Sequence, residues 1–269
     1  MDLTTRISLR SGHQMPVLGL GTWKLTNDTA ETVEGAIEAG YRMIDTAVDY
    51  GSQAGIGQAL REGRLGRDDI FLVTKIEEDD EPVEGVVRDL SEMGLPYADL
   101  TLIHRPPEDG VGEQLWDGLI RARDEGLVRD IGVSNYTAQQ IDRLTDATGE
   151  APAVNQVEWT PFGHDDALLE HHARLGIVLM AYSPLTRGER LEDATLQEIA
   201  RRHGKTPAQV LIRWNLQKGT VPIPKANRPD HCRENLDVFN FELEQGEMAR
   251  LDRLNAHWSA LGALPYAAD

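Results

Sequence analysis

The sequence predicts an α/β fold: a (β/α)8 TIM barrel with an N-terminal β-hairpin cap and extra helices late in the chain. Three observations predict it. Eight short apolar, β-rich runs alternate with amphipathic stretches from end to end. The length of 269 residues suits one barrel domain, residues 1–269, and no linker, low-complexity tract or internal repeat interrupts it. Finally, Asp45, Lys75 and His104 each close one of three successive runs, which points to chemistry at the C-terminal mouth of a barrel.

The elements follow in order. ISL (7–9) and HQM (13–15), joined through Arg10-Ser11-Gly12, read as a small hairpin capping the barrel's bottom. VLGLG (17–21) is the first barrel strand, and Asp28 with Glu31 can cap a helix through Gly40. RMID (42–45), IFLVTK (70–75), DLTLIH (99–104) and VRDIGVS (128–134) are the next four strands, with helices over 53–62, 82–93 and 112–125 between them. Thr137 and Gln140 have capping-box spacing before the following helix. AVNQVE (153–158), IVLMAY (177–182) and TVPIPK (220–225) complete the eight, separated by helices over 165–175 and 195–203. Thr206-Pro207 places an N-cap and an N1 proline before AQVLIRWNLQKG, and helices over 230–239 and 245–254 close the chain. A doubly wound sheet would want a glycine-rich turn after its first strand. GLGTW (19–23) lacks the GxGxxG spacing.

Composition narrows the partners. With 45 acidic against 27 basic residues the net charge is −18, which argues against nucleic acid and anionic membranes. No apolar stretch is long enough to span a bilayer, and MDLTTRISLR lacks the apolar core of a signal peptide, so a cytoplasmic location is expected. The single cysteine, Cys232, cannot form an internal disulfide and suits a buried packing role. Only five lysines (24, 75, 205, 218 and 225) stand against 22 arginines. Such an acidic, lysine-poor surface is expected of a protein from a halophilic host. His171 and His172 are adjacent and diverge on a helix, where paired ligands want i, i+4 spacing, so no metal is expected.

The segments GLGTW (19–23), GYRMIDTAVDYG (40–51), FLVTK (71–75), DLTLIH (99–104), IGVSN (131–135), NQVE (155–158), AYSPL (181–185) and VPIPKANRPDHCREN (221–235) carry a resemblance. In these motifs and their order the chain resembles the aldo-keto reductase family over essentially its whole length, and is similar to its prokaryotic 2,5-diketo-D-gluconate reductase-like group. The resemblance implies NAD(P)H-dependent reduction of an aldehyde or ketone, with Asp45, Tyr50, Lys75 and His104 as the reductase tetrad. Each role makes independent chemical sense. Carbonyl reduction needs a hydride donor, which side chains cannot supply, and a proton for the developing alkoxide. Tyr50 is the candidate acid. A Lys75 cation about 4 Å away contributes about 4 kcal/mol at an effective dielectric of about 20, so a lowered Tyr50 pKa is expected. Asp45 would keep the ammonium charged and oriented, and His104 can donate a hydrogen bond to the carbonyl.

The resemblance also implies a cofactor cradle. Ser134, Asn135 and Gln156 match positions that bond the nicotinamide carboxamide, and Tyr182 matches the ring that stacks on it. Ser183 and Leu185 belong to the loop over the pyrophosphate, and Thr22 lies on the cofactor side. Lys225, Arg228, His231, Glu234 and Asn235 lie where the family grips the adenosine end. Lysine and arginine near a helix start suit a 2′-phosphate, so NADPH is the first choice. Ala226 replaces a frequent serine and His231 a common arginine, which keeps NADH open. Trp23 matches a pocket-wall aromatic, with Val48 and Trp159 as neighbours. Arg105, where tryptophan often follows the histidine, is expected to favour substrates bearing a carboxylate or sugar hydroxyls. A monomer acting on a small carbonyl compound is expected. Two other classes compete: a Schiff-base aldolase using Lys75, and a non-catalytic nucleotide-sensing barrel.

Overall fold

The structure, a computed structural model, describes residues 1–267; residues 268 and 269 of the expected domain lie outside those described. The hairpin forms from β1 (Arg6–Ser8) and β2 (Gln14–Pro16), antiparallel with Ile7 opposite Met15. It begins one residue earlier than expected and encloses a wider turn. Leu9 and Met15, both buried, pack against Met43, Phe71, Leu100 and Val178. His13 Nδ1 reaches Asp130 Oδ2 at 2.7 Å. The hairpin is thereby fixed to the N-terminal ends of the barrel strands.

Eight parallel strands follow in sequential order: β3 (Leu20–Gly21), β4 (Met43–Asp45), β5 (Phe71–Ile76), β6 (Ala98–Ile103), β7 (Val128–Ser134), β8 (Val154–Glu158), β9 (Val178–Tyr182) and β10 (Val221–Pro222). The first and last meet. Gly19 N donates to Pro222 O at 3.1 Å, Gly21 N to Pro224 O at 3.2 Å, and Gly21 bridges Lys225 in parallel. A Cβ on Gly21 would stand 2.7 Å from Ile223 O, so glycine is what lets the closing strands approach. β3 and β10 are shorter than the apolar runs predicted. In β10 the reason is Pro222 and Pro224, which have no N–H to give the ladder.

The helices surround this barrel: α1 (Thr29–Ala39), α2 (Gln53–Glu62), α3 (Pro82–Met93), α4 (Glu113–Asp124), α5 (Ala138–Thr148), α6 (Asp166–Leu175), α7 (Ala194–His203) and α8 (Pro207–Lys218), with α9 (Pro229–Leu236) and α10 (Gln245–Asp252) after the last strand. The caps act as expected. Asp28 accepts from Glu31 N at 3.0 Å, and both Thr137–Gln140 and Thr206–Gln209 close reciprocal capping boxes. The helix expected over 230–239 stops at Leu236. Lys205 Nζ holds the Asp237 carboxylate at 2.6 Å, and Gln209 Nε2 takes Glu234 O at 3.0 Å. Cys232 is buried in the packing role expected of it. No helix among the described residues is long and apolar enough to cross a membrane.

His171 and His172 are structural. His171 Nε2 lies 2.7 Å from Asp142 Oδ1, and His172 Nε2 is 2.9 Å from Asn155 Nδ2 inside the protein. Burial, helped by His171, lowers the His172 pKa to about 4. The unfolded chain therefore takes up this proton near pH 6.5 and the folded one only near 4, so stability is lost as pH falls between those values. About 3 kcal/mol of destabilisation is expected from this one group by pH 4. Urea unfolding of wild type and His172→Gln across that range measures it; the variant should show a shallower decline.

Candidate active site

Strand register brings the mouth residues together. Asp45 pairs in register with Val73, so Lys75 stands two residues farther along β5 and on the same barrel face. His104 follows the end of β6, its N–H bonded to Ile76 O at 2.9 Å. Lys75 is fully buried and its Nζ donates to Asp45 Oδ1 and to Thr46 O, each at 2.8 Å. Burial works against the ammonium, but Asp45 and then Tyr50 hold its pKa above the usual lysine range. A Schiff-base lysine needs a lowered pKa and a free lone pair. Lys75 has neither, which removes the support for the aldolase reading.

Tyr50 ends a single 3₁₀ turn, Val48–Tyr50, that the sequence pattern did not foretell. The turn points the ring back over the mouth. Lys75 Nζ lies 4.9 Å from the ring centroid, and the His104 ring meets it edge-on at 5.9 Å. The expected lowering of the Tyr50 pKa is corrected. Burial is the largest influence and pushes the phenol above its ordinary range; Lys75 pulls it down without prevailing, and Asp45 pushes it up again. The simple pairwise sum omitted this desolvation.

Behind the tetrad residues a polar layer joins β7, β8 and β9. Ser134 Oγ donates to Gln156 O at 2.8 Å, and Asn135 Nδ2 bonds His104 O at 3.0 Å. Asn135 adopts φ 66°, an unusual left-handed backbone for a residue other than glycine, and its Oδ1 accepts from Tyr182 Oη at 2.8 Å. Gln156, expected to face a carboxamide, donates through Nε2 to Asp45 Oδ2 at 2.7 Å. It is therefore tied to the Asp45–Lys75 pair in this structure.

Two expected contact residues are corrected. Thr22 is fully buried, its hydroxyl bonding Asp45 O at 2.8 Å and Ser52 Oγ at 2.9 Å, so it ties β3 to β4 and presents nothing to a ligand. Trp159 is also fully buried; it packs beside His164 and Tyr266, within the second apolar cluster. It is core and not pocket wall. Val48 is half-buried in the turn before Tyr50. Trp23 is half-buried with Lys24 Nζ 4.4 Å and the Arg187 guanidinium 4.2 Å from its ring centroid. Arg105 is exposed and makes no ion pair among the described residues.

The loop after β9 holds Ser183 and Leu185. Ser183, Thr186 and Arg187 all have positive φ, between 47° and 54°, a strained path for non-glycine residues that carries Arg187 over Trp23. Across the barrel, the loop after β10 is stitched to the loop after β3. Lys225 Nζ donates to Lys24 O at 3.0 Å, Thr26 N to Asn227 Oδ1 at 3.1 Å, and Asn27 Nδ2 to Asn227 O at 2.6 Å. Arg228 and His231 sit at the start of α9, with guanidinium Nη2 and imidazole Nε2 2.6 Å apart. Glu234 is half-buried, and Asn235 is buried with an Nδ2 that has no hydrogen-bond partner among the described residues. Lys24, Arg187, Lys225 and Arg228 thus form a basic strip from the mouth to α9 on a protein of net charge −18.

Glu77 is the residue that sequence reasoning missed. Its Oε1 lies 2.7 Å from His104 Nδ1. Burial alone would raise this carboxyl, but the bond and charge of His104, then the charge of Arg105, hold it below the usual carboxylate range. In the sequence Glu77 opens the run EEDDE and reads as surface. Its position two residues beyond Lys75 was the available signal, because alternation places both on the barrel's inner face. Asp49, Glu77 and His104 bring ligand-type atoms within 4.8 Å of one another. The three come from separate turns and strand ends and not from one helix, and spacing alone does not make the group a metal site. A groove of about 1020 Å³ lies beside the mouth between the loops after β5 and β6, and none of the four tetrad residues lines it.

The model described as the aldo/keto reductase family matches residues 17–256. An aldo-keto reductase of Mycobacterium sp. (strain MCS) is 43% identical over 256 residues, covering 93% of this chain and 90% of the relative. The crystal structure of an aldo/keto reductase from Brucella melitensis aligns with a TM-score of 0.88 and 37% identity, over 93% of this chain and 99% of that one. The Bombyx mori aldo-keto reductase in complex with NADP aligns with a TM-score of 0.90 and 33% identity over 100% of both chains.

Proposed function

The chain belongs to the aldo/keto reductase family of NAD(P)H-dependent oxidoreductases, and we propose that it reduces an aldehyde or ketone to an alcohol using NADPH, with Tyr50 giving the proton. The observation that carries this reading is the buried Asp45–Lys75 pair set beneath the Tyr50 ring with His104 beside it. A structural ion pair alone would not need a phenol and an imidazole at the same mouth.

The residues present fit a nicotinamide dinucleotide. A basic strip, a strained loop with Arg187 over Trp23 and the orphaned Asn235 Nδ2 are features that an empty barrel has no use for. When bound, the nicotinamide supplies the hydride. Ser134 and Asn135 would hold its carboxamide, Tyr182 its ring, and Ser183 and Leu185 would cover the pyrophosphate. Gln156 would act chiefly through Asp45. Lys225 and Arg228 would take the 2′-phosphate, with Glu234 and Asn235 at the adenosine. NADP bound to the Bombyx mori relative supports this choice. His231 Nε2 accepts from the Arg228 guanidinium in this arrangement and so braces it. Trp23, Val48 and Arg105 would border the substrate.

Beside the reacting carbon, Lys75 keeps a full positive charge beneath Tyr50 and stabilises the negative charge that builds up as the phenol releases its proton. Asp45 keeps that lysine in place. The acidic, lysine-poor composition also supports a halophilic host and action without nucleic acid or anionic membrane, and a single-domain monomer in the cytoplasm is part of the same proposal.

Oxidation of NADPH and NADH, followed with a panel of aldehydes, keto acids and keto sugars in high salt, tests the reading. Turnover with none of them would overturn it. For the cofactor, Arg228→Ala is expected to raise the Kd for NADPH about ten- to a hundredfold, the worth of one charge-assisted bond, and to leave NADH within about twofold. Equal losses for the two nucleotides would remove the assignment of Arg228 to the 2′-phosphate.

A further inference from the structure

His104 has two ring nitrogens, and the structure fixes the task of one. Nδ1 lies 2.7 Å from Glu77 Oε1, with the histidine side chain 8% exposed and the glutamate 21% exposed. An ionised carboxylate only accepts hydrogen bonds, so Nδ1 carries the hydrogen in this contact. The consequence falls on Nε2. In a neutral ring with hydrogen on Nδ1, Nε2 is a bare acceptor and would face a carbonyl oxygen lone pair to lone pair. Only the imidazolium has an N–H on both sides.

We propose that Glu77 is a positioning residue that holds His104 as an imidazolium, so that Nε2–H is a charged hydrogen-bond donor to the substrate carbonyl. This rests on the carbonyl-reducing reading of the site. A charged donor bond is roughly twice as strong as a neutral one, and it strengthens as the oxygen gains negative charge during hydride arrival. Tyr50 remains the proton donor.

The surroundings favour the cation. From the turn after β4, Asp49 faces the same space, its carboxylate grouped with Glu77 and His104 within 4.8 Å, and the Tyr50 ring stands 5.9 Å away. From β5, Lys75 is matched by Asp45 at 2.8 Å, so its charge is largely spent. Asp80 lies close enough to Glu77 to act on it, and Arg105 follows His104 in the chain. From β9, Tyr182 reaches the ring's backbone through Asn135. Two carboxylates face the imidazole against one exposed guanidinium.

Two measurements on the full-length protein test the assignment. The first is the ¹⁵N spectrum of histidine-labelled wild type without ligand, with the His104 signals assigned by subtracting the spectrum of His104→Gln. At pH 7 both His104 nitrogens should carry hydrogen, whereas Glu77→Gln, whose amide can also donate, should show one. The second is the pH profile for reduction. Wild-type kcat/KM should fall about tenfold per pH unit once the imidazolium loses its proton, and well before the raised Tyr50 phenol ionises. Glu77→Gln should lose that limb and vary less than about twofold over the same range. An unchanged NADPH Kd would show that the variant folds; if it does not fold, the wild-type spectrum decides alone. One protonated nitrogen in wild type, or a limb that survives in Glu77→Gln, overturns the proposal. Absence of turnover in both proteins would instead defeat the functional reading, and the ring spectrum would still judge Glu77.

Discussion

Replacement of Tyr50 by phenylalanine is expected to lower kcat for carbonyl reduction about 10²- to 10⁴-fold, the usual worth of a positioned general acid. The ring, its packing beside His104 and its place over Lys75 all survive this change, since only the hydroxyl is lost. NADPH affinity, measured by fluorescence quenching, should therefore stay within about twofold. The pH dependence follows from the raised phenol. A pKa above the ordinary tyrosine value leaves Tyr50 fully protonated at neutral pH, so it imposes no limb on reduction until strongly alkaline conditions. Alcohol oxidation needs the phenolate and should instead accelerate as pH rises. A Tyr50→Phe enzyme that keeps wild-type kcat would show that the proton comes from elsewhere.

The second large effect is expected at Lys75. Lys75→Met removes a fully buried cation and leaves Asp45 with only the Gln156 amide as a polar side-chain partner. Breaking a buried pair from one side typically costs about 3–5 kcal/mol. The charge also favours phenolate formation by about 3 kcal/mol at 5 Å and an effective dielectric of about 20, so without it kcat should fall about a hundredfold or more in whatever protein folds. Urea unfolding separates the two consequences. Lys75→Met combined with Asp45→Asn should recover most of the stability, because no charge is then stranded, and none of the activity. If the double variant is no more stable than the single one, the ion pair is not the source of the loss.

Much of the fold was legible in the sequence because barrel strands and helices announce themselves locally. Apolar runs of four to seven residues, capping pairs such as Thr137–Gln140 and the proline after Thr206 all act within a few residues of themselves. The tetrad was legible for a related reason: Asp45, Lys75 and His104 each end such a run, and motif order supplied Tyr50. Less legible were the ends of the elements. Helix α9 stops where Lys205, thirty-two residues earlier, takes the Asp237 carboxylate.

The site residues divide in the same way. Trp159 follows a strand and reads from the sequence as a pocket neighbour of Trp23, yet the packing of His164 and Tyr266 around it makes it core. Thr22 sits in the right motif and spends its hydroxyl on Asp45 and Ser52. Glu77 looked like one acid among many in an acidic chain. Sequence alone therefore determined the barrel, the family and which four residues gather at its mouth, because periodicity and motif order are properties of the backbone's local path. Tertiary structure alone decided that burial outweighs Lys75 at Tyr50, and that a glutamate rather than solvent meets His104. Those outcomes depend on how far each strand protrudes beside its neighbour, and on desolvation by loops remote in the chain, neither of which is written in any short run of residues.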